Sequence, residues 1–179
     1  MKTPLLINSD DYPSFYQPYV SKVQEAYDDN PWQAFRVQAE EIPALLQDVG
    51  EEMPGYRYAE GKWTVQQVVG HMIDAERIFG VRCLHWARGE KQALIGFDEN
   101  EYVQAAQFEN RTFPSLLEEF RLVRLGHVNM FEGFAAEWYD HKGEANGSTF
   151  SLAAMPYIMV GHVLHHFRIL RERYGIGHS

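Results

Sequence analysis

The chain has 179 residues, of which 45% are hydrophobic and 23% charged, and this composition indicates one globular domain that can bury a core without disulfides or a structural metal. The formal net charge of −9 and the scattered lysines and arginines argue against nucleic acid as a partner. The single cysteine, Cys83, excludes a disulfide framework.

The N-terminal stretch MKTPLLINSDDYPSF lacks the apolar segment of a signal peptide. The most apolar stretch, residues 150–164, is short for a membrane span and contains Pro156 and His162. We therefore expect a cytoplasmic protein that contacts no membrane. Residues 1–179 are expected to form a single domain, with an N-terminal extension over about 1–18.

Helical periodicity dominates from about residue 18, and no alternating apolar run predicts a sheet. A short helix is expected over about 19–26. A long helix follows over about 31–49, where Pro31 suits the first turn and Pro43 should kink or interrupt the helix.

The clearest helix start is KWTVQQ, in which Thr64 is the predicted N-cap and Gln67 can complete a capping box. From there the apolar residues recur at three- and four-residue steps for about 24 residues, until Gly89 offers a C-terminal cap.

The stretch GFDENEYVQAA predicts a short helix before the third long helix, which should begin near Thr112. A turn at Asn146–Gly147 then precedes a fourth long helix from Leu152 to about Tyr174, with Ser151 as its candidate cap. Four long amphipathic helices without repeats or linkers predict an all-α four-helix bundle. The connection between the second and third long helices is long enough for a crossover topology.

The fourth helix carries GHVLHHFRIL, with three histidines in five positions. On a helical wheel, His162 and His166 fall on one stripe with Met155, Met159, Leu170 and Arg173. Two imidazoles one turn apart can both reach one ion at about 2.0–2.1 Å. His165 lies on the adjacent ridge and is less well directed.

A pair of histidines four residues apart is often two unrelated polar side chains. The apolar stripe favours a metal site, because buried imidazoles need polar partners and few carboxylates lie nearby in sequence.

A third ligand is expected from the second long helix, where GHMIDAER places His71 beside an apolar stripe. Asp74, three residues later, lies on the same side, whereas Glu76 and Arg77 are predicted to face solvent. Asp74 is either a surface acid or a functional one: an acceptor that fixes the tautomer of a ligand, a fourth ligand, or a proton acceptor.

The remaining histidines are predicted to be structural or solvated: His85, His127, His141 and His178. Cys83 is predicted to be a small core residue rather than a nucleophile. The Glu-x-x-His pattern of di-iron bundles and the His-Glu-x-x-His pattern of metalloproteases are both absent from the sequence.

Three segments resemble the DinB/YfiT-like superfamily of metalloenzymes, over about residues 19–174: YRYAEGKWTVQQVVGHMIDAERIFGVRCLHWARGE, LLEEFRLVR and GHVLHHFRILRERYG. The resemblance implies a four-helix bundle of up-down-down-up topology, commonly dimeric, with a divalent metal held by three histidines. Those positions are His71, His162 and His166 here, and His165 matches an additional histidine that is not a principal ligand. Some members of the superfamily are thiol S-transferases that use bacillithiol or mycothiol. The family name refers to DNA damage induction and does not imply DNA binding.

Three neutral imidazoles leave open positions on an ion such as Zn²⁺ or Ni²⁺, as in catalytic sites. The first hypothesis is a thiol-dependent S-transferase that acts on small electrophiles, with Asp74 orienting a ligand or accepting a proton. The alternatives are a metal-dependent hydrolase of a small molecule and a non-catalytic metal- or ligand-binding bundle. The expected partners are a small-molecule substrate, with a low-molecular-weight thiol as possible cosubstrate, and a second copy of the chain in a homodimer.

Overall fold

The computed structural model describes residues 5–177, so the tail residue His178 lies outside the described part. Within it, the helices are α1 (Gln17–Ala26), α2 (Pro31–Gln47), α3 (Val65–Ala87), α4 (Glu99–Ala106), α5 (Phe113–Glu132) and α6 (Met155–Tyr174). One hairpin is formed by β1 (Lys142–Ala145) and β2 (Ser148–Ser151). In residues 5–177, none of the helices is long and apolar enough to cross a membrane.

Helix α3 begins where the sequence predicts. The Oγ atom of Thr64 accepts a hydrogen bond from the Gln67 amide at 3.1 Å, and Gln67 Oε1 accepts one from the Thr64 amide at 2.9 Å. The helix ends after 23 residues, and Gly89 just beyond it has a φ of +77°. The capping box is confirmed, and α3 therefore enters the bundle at a defined position.

Pro43 does not interrupt α2, because the helix is continuous from Pro31 to Gln47, and the alternative of a kink at Pro43 stays a prediction. Ile42 and Leu46 flank the proline on the same helix face and are both buried in the core. The free energy gained by burying this face exceeds the free-energy cost of the one backbone hydrogen bond that the proline removes. Pro156 does not disrupt α6 either, because it lies in the first turn of this helix, where amide groups have no intrahelical partner.

The expectation that the chain forms no sheet is wrong, because β1 and β2 pair in an antiparallel hairpin. Its strands are four residues long, too short for an alternating pattern to be recognised. The turn itself is confirmed, since Asn146 and Gly147 have φ values of +52° and +69°. Helix α6 begins at Met155 rather than Leu152, and its N-cap is Ala154. Ser151 belongs to β2 and is not the N-cap, although its Oγ accepts a hydrogen bond from the Ala154 amide.

The long helices pack in an order that differs from their order in the chain. Helix α2 packs against α5 and α6, and α3 packs against the same two helices from the other side. Consecutive helices α2 and α3 therefore lie diagonally across the bundle.

Specific contacts establish the helix directions. Antiparallel packing of α2 on α5 is marked by the ion pairs Arg36–Glu132 and Glu40–Arg121. Antiparallel packing of α3 on α6 is marked by the Tyr174–Trp63 hydrogen bond and the Phe79–His162 ring contact. Parallel packing of α3 and α5 is marked by the contacts Gln66–Arg111 and Glu76–Arg124. The topology is up-down-down-up, as predicted, and the segment with α4 makes the crossover between parallel α3 and α5.

Two apolar clusters fill the bundle and divide α3 and α6 into halves. One cluster contains the C-terminal half of α3 and the N-terminal half of α6, from Met155 to Val160. The other contains the N-terminal half of α3, from Val65 to Ile73, and residues 163–174 of α6. The polar side chains in the middle of both helices lie at the boundary between the clusters, and this boundary is the place of the candidate site.

Candidate metal centre

The predicted histidines meet between the middle of α3 and the middle of α6. The Nε2 atom of His71 lies 3.2 Å from that of His162 and 3.1 Å from that of His166. The Nε2 atoms of His162 and His166 are 3.1 Å apart. Three ring nitrogens from two helices therefore form a nearly equilateral triangle and converge on one point.

This triangle fits a divalent ion. Three nitrogens bonded to one ion at 2.0–2.1 Å would be separated by about 2.9 Å in octahedral and about 3.4 Å in tetrahedral geometry. The observed separations of 3.1 to 3.2 Å fall between these values. A proton on one Nε2 atom could be shared with only one of the other two, whereas a cation can contact all three.

The environment keeps the imidazoles neutral. Burial lowers the pKa of His71 to about 4, and the charge of His165 contributes to the shift. Burial also lowers the pKa of His166 to about 2, and it lowers that of His162, with smaller contributions from neighbouring imidazoles. Metal binding requires the deprotonated ring, so these histidines are in the ligand form at neutral pH without having to lose a proton.

Aromatic neighbours set the orientation of the rings. The Trp63 ring lies 4.8 Å from that of His71, measured between centroids. Phe79 and Tyr19 pack against His162 at 5.6 and 6.1 Å. Among residues 5–177, the buried Nδ1 atom of His162 has no hydrogen-bond partner. Packing, rather than a carboxylate, therefore orients this ring.

Asp74 is not brought together with the three histidines. It is half-buried, burial raises its pKa, and the charges that act on it belong to Arg77 and Glu119. Glu119 is on α5, so the carboxyl group of Asp74 lies on the side of α3 that approaches that helix. In the described part of the chain, Asp74 makes no hydrogen bond to an imidazole, and its catalytic role stays a prediction.

His165 lies beside the triangle and outside it. Its ring is tilted by 35° against that of Tyr19 at 5.2 Å, and it meets the edge of His166 at 5.1 Å. Burial lowers its pKa, and Lys22 and Arg168 act in the same direction. This position agrees with the prediction that His165 is a neighbour of the site.

The prediction that Glu76 faces solvent is wrong, because the residue is fully buried. Its Oε1 atom accepts a hydrogen bond from Arg124 Nη1 at 2.8 Å, and its Oε2 atom lies 2.9 Å from His127 Nδ1. Arg124 also donates to Gln38, which in turn donates to the carbonyl oxygen of Val160 on α6. Burial alone would raise the pKa of Glu76, but Arg124 and His127 hold it below its usual range.

The misassignment of Glu76 has a physical reason. Helix α3 contacts both α5 and α6, so its buried surface is wider than one apolar stripe. Its neighbour Arg77 is exposed and pairs with Glu119, as predicted for a solvated residue.

Of the residues predicted to be structural or solvated, His127 and His141 make structural contacts, and Cys83 is confirmed as a core residue. His127 belongs to the buried network of Glu76, and the Nδ1 atom of His141 lies 2.8 Å from the carbonyl oxygen of Trp86. His85 is half-buried on α3. Cys83 is buried in the core, and burial raises the pKa of its thiol, which disfavours the nucleophilic thiolate.

A pocket of about 600 Å³ opens at the histidine triangle. Its walls include α3, α6, the N-terminal segment before α1 and the β-hairpin. Its aromatic lining consists of Phe15, Tyr16, Tyr19, Phe79, Phe97 and Phe150. The sequence prediction missed this wall, although the aromatic-rich stretch DYPSFYQPY was a signal that could have indicated it.

Comparison with solved structures finds the same architecture in YfiT from Bacillus subtilis, which is described as a probable metal-dependent hydrolase with an unusual four-helix bundle topology. The two share 15% sequence identity, with a TM-score of 0.73 over 99% of this chain and 95% of that one. No curated protein matches the sequence. The family model of the DinB superfamily matches residues 34–170, a span that includes α3, α5 and all three converging histidines. The chain therefore belongs to the DinB superfamily.

Proposed function

We propose that this protein is a metal-dependent enzyme in which His71, His162 and His166 hold one divalent ion, Zn²⁺ or Ni²⁺. The observation that carries the proposal is the convergence of three neutral imidazole nitrogens at the wall of a pocket. Three protein ligands leave positions on an ion open, which is typical of catalytic and not of structural sites.

A divalent ion at this place supplies Lewis-acid chemistry, since it lowers the pKa of a water or thiol that it contacts and polarises a substrate oxygen. The residues of the chain determine the charge and the position of the groups around the ion. Neutral imidazoles add no negative charge, so the positive charge of the ion remains available to the substrate. The rings of Trp63, Phe79 and Tyr19 pack against the imidazoles and keep them in place.

Hydrolysis of a small molecule is the reaction that we favour. The structural similarity to YfiT supports it, because that protein is described as a probable metal-dependent hydrolase. The pocket volume of about 600 Å³ is also in the range of small-molecule sites.

Thiol transfer is the second candidate. A pocket of this volume can hold a low-molecular-weight thiol beside an electrophile. The thiol would have to be a cosubstrate, because the only cysteine, Cys83, is buried away from the pocket lining. In either reaction, we propose that Asp74 acts as an acceptor that orients a ligand or as a proton acceptor, and not as a ligand of the ion, because its charged neighbours are Arg77 and Glu119.

The metal site is tested by elemental analysis of protein purified without an affinity tag. We expect about one divalent ion per chain, and its loss in His71→Ala and His162→Ala variants that keep their helical circular dichroism. His141→Ala is the matched control, since His141 lies away from the triangle, and it should retain the ion. Retention of the ion in both triangle variants would overturn the site assignment.

The two reactions are separated by assays of the metal-loaded protein with and without thiol. Hydrolysis of 4-nitrophenyl acetate in thiol-free buffer, lost in the His162→Ala variant, would support a hydrolase. Conjugation of monochlorobimane that depends on both added bacillithiol and His162 would support a transferase. If neither reaction exceeds the rate of the His162→Ala variant, neither reaction class is supported for these probes.

We also propose a homodimer, based on exposed apolar side chains on and after α3. Val81 and Leu84 are 53% and 40% exposed, and Ile95 is 91% exposed. Burial of such residues between two copies would remove apolar area from water. Light scattering should give the dimer mass for the native chain and a monomer mass for Ile95→Glu; a native monomer contradicts the proposal.

A further inference from the structure

Arg82 on α3 is a buried cation without an acidic partner. Only 5% of the residue is exposed. Within residues 5–177, no carboxylate lies within ion-pair distance of its guanidinium group, and the side chain donates no hydrogen bond. Burial lowers the pKa of Arg82, which reflects the loss of hydration around the charge.

The guanidinium group lies on the pocket side of α3. Its Cζ atom is 5.7 Å from the centre of the Phe79 ring, and its charge acts on the pKa of Tyr16. Both aromatic residues line the pocket, as does Arg82 itself. Among the described residues that line the pocket, the only acid is Glu99, which is exposed.

A second buried arginine, Arg124, shows how the charge of a structural cation is compensated in this fold. Arg124 is fully buried, and it is paired with Glu76 and hydrogen-bonded to Gln38. A buried cation is stable when a partner compensates for its lost hydration. The chain carries a net charge of −9, so acids are abundant, yet Arg82 pairs with none of those in the described part of the chain. The compensating charge is therefore left for a molecule that enters the pocket.

We propose that Arg82 binds an anionic group of the substrate, a carboxylate or a phosphate, while the reacting end of that substrate lies at His71, His162 and His166. The proposal deepens the enzyme function proposed above and rests on it for the position of the reacting end. Guanidinium groups bind carboxylate and phosphate oxygens through paired N–H donors, which suits both kinds of anion.

The distances limit the size of the substrate. Phe79 contacts both ends of the site, with the centre of its ring 5.7 Å from Arg82 Cζ and 5.6 Å from the centre of the His162 ring, so these ends are at most about 11 Å apart. The space between them is bordered by the rings of Phe79, Tyr16 and Phe150. The substrate class is thus a small organic anion with an apolar middle and a reactive group at the end opposite the charge.

The test is calorimetric titration with three probes that share a phenyl ring and three methylene groups: 4-phenylbutanoate, 3-phenylpropyl phosphate and the neutral 4-phenylbutanamide. We expect at least one anion to bind the full-length protein about tenfold or more tightly than the amide, because a hydrogen-bonded charge pair contributes about this much. Comparison of the affinities for the carboxylate and for the phosphate shows which anion the site prefers.

Substitution of Arg82 then tests the residue. Arg82→Gln should remove the preference for the anion and leave the affinity for the amide unchanged. Arg77→Gln is the matched control, since Arg77 is exposed and paired with Glu119, and it should behave as the native chain. Arg82→Met provides a second variant; it should keep or raise the melting temperature, because no ion pair is broken. A strongly lowered melting temperature would instead indicate a structural role and would contradict the proposal.

The metal content of every preparation is measured in parallel, which separates this proposal from the proposed function. If native protein prefers the anion through Arg82 but no preparation contains metal, the anion site stands and the metal site fails. If metal is present but anion and amide bind equally, or Arg82→Gln keeps the preference, the role of Arg82 is wrong and the metal site is unaffected.

Discussion

At the scale of single residues, α3 uses neighbouring turns for two different purposes. His71 faces α6 and joins an imidazole triangle that fits a cation. Glu76, little more than a turn later, faces α5 and carries the negative charge that Arg124 requires, while its second carboxylate oxygen lies 2.9 Å from His127 Nδ1. Gln38 extends this second network to the carbonyl oxygen of Val160, two residues before His162. The buried ionic network thus supports the backbone next to a candidate ligand.

We predict that Glu76→Ala lowers the free energy of unfolding by about 3–5 kcal/mol, because it leaves Arg124 buried without its counter-charge. Arg77→Ala is the control from the next position in the chain. It breaks an exposed pair and should cost at most about 1 kcal/mol. Urea denaturation of the two variants measures the difference, and similar midpoints would show that the buried network contributes little.

At the scale of elements, the contact of α1 with α6 brings the pocket wall close to the site. Gly161 lies on α6 immediately before His162, and a Cβ atom at this position would be 2.5 Å from the carbonyl oxygen of Tyr19 on α1. The absence of a side chain at residue 161 therefore lets α1 approach closely enough for Tyr19 to contact both His162 and His165.

We predict opposite effects for alanine at two helical glycines. Gly161→Ala should destabilise the protein by about 1–3 kcal/mol, because α1 has to move away from α6. Gly126→Ala on α5 meets no atom within 4 Å and should stabilise it by about 0.5–1 kcal/mol through helix propensity. Chemical denaturation measures both, and a stabilising Gly161→Ala would show that the helices can separate freely.

At the scale of the whole molecule, the fold links stability to pH through its buried imidazoles. The pKa of His71 is about 4 in the folded chain, whereas an unfolded histidine has a pKa of about 6.5. Between these values the unfolded state binds a proton that the folded state excludes. The contribution is fully present above about pH 6.5, and it is lost as the pH falls toward about 4.

We predict that the urea midpoint of the protein in a chelating buffer changes little from pH 7.5 to about pH 6.5 and then falls as the pH is lowered to 5. His71→Gln should show a shallower decline, because one of the protonation steps is removed. A midpoint that stays constant over this range in the native chain would contradict the burial of neutral imidazoles.

Much of the fold and of the candidate site could be predicted because it depends on local patterns. The capping box follows from the local motif of Thr64 and Gln67, and the apolar stripe that carries His162 and His166 follows from helical periodicity. Glu76 could not be placed, because its burial depends on which helix packs against each side of α3. The aromatic wall could not be placed for a similar reason, since Tyr16 and Phe150 are far apart in the chain and meet only in the folded molecule.

The sequence by itself determined the helices, their capping and the spacing that aligns two histidines on α6, because these depend on neighbours within one or two turns. Tertiary structure alone decided the separation of about 3 Å between the three imidazole nitrogens and the pairing of Arg124 with a counter-charge, whereas Arg82 has none among residues 5–177. Each of these outcomes depends on which distant side chain occupies the facing surface. Packing selects that partner from residues that are up to about a hundred positions apart, and no local pattern specifies it.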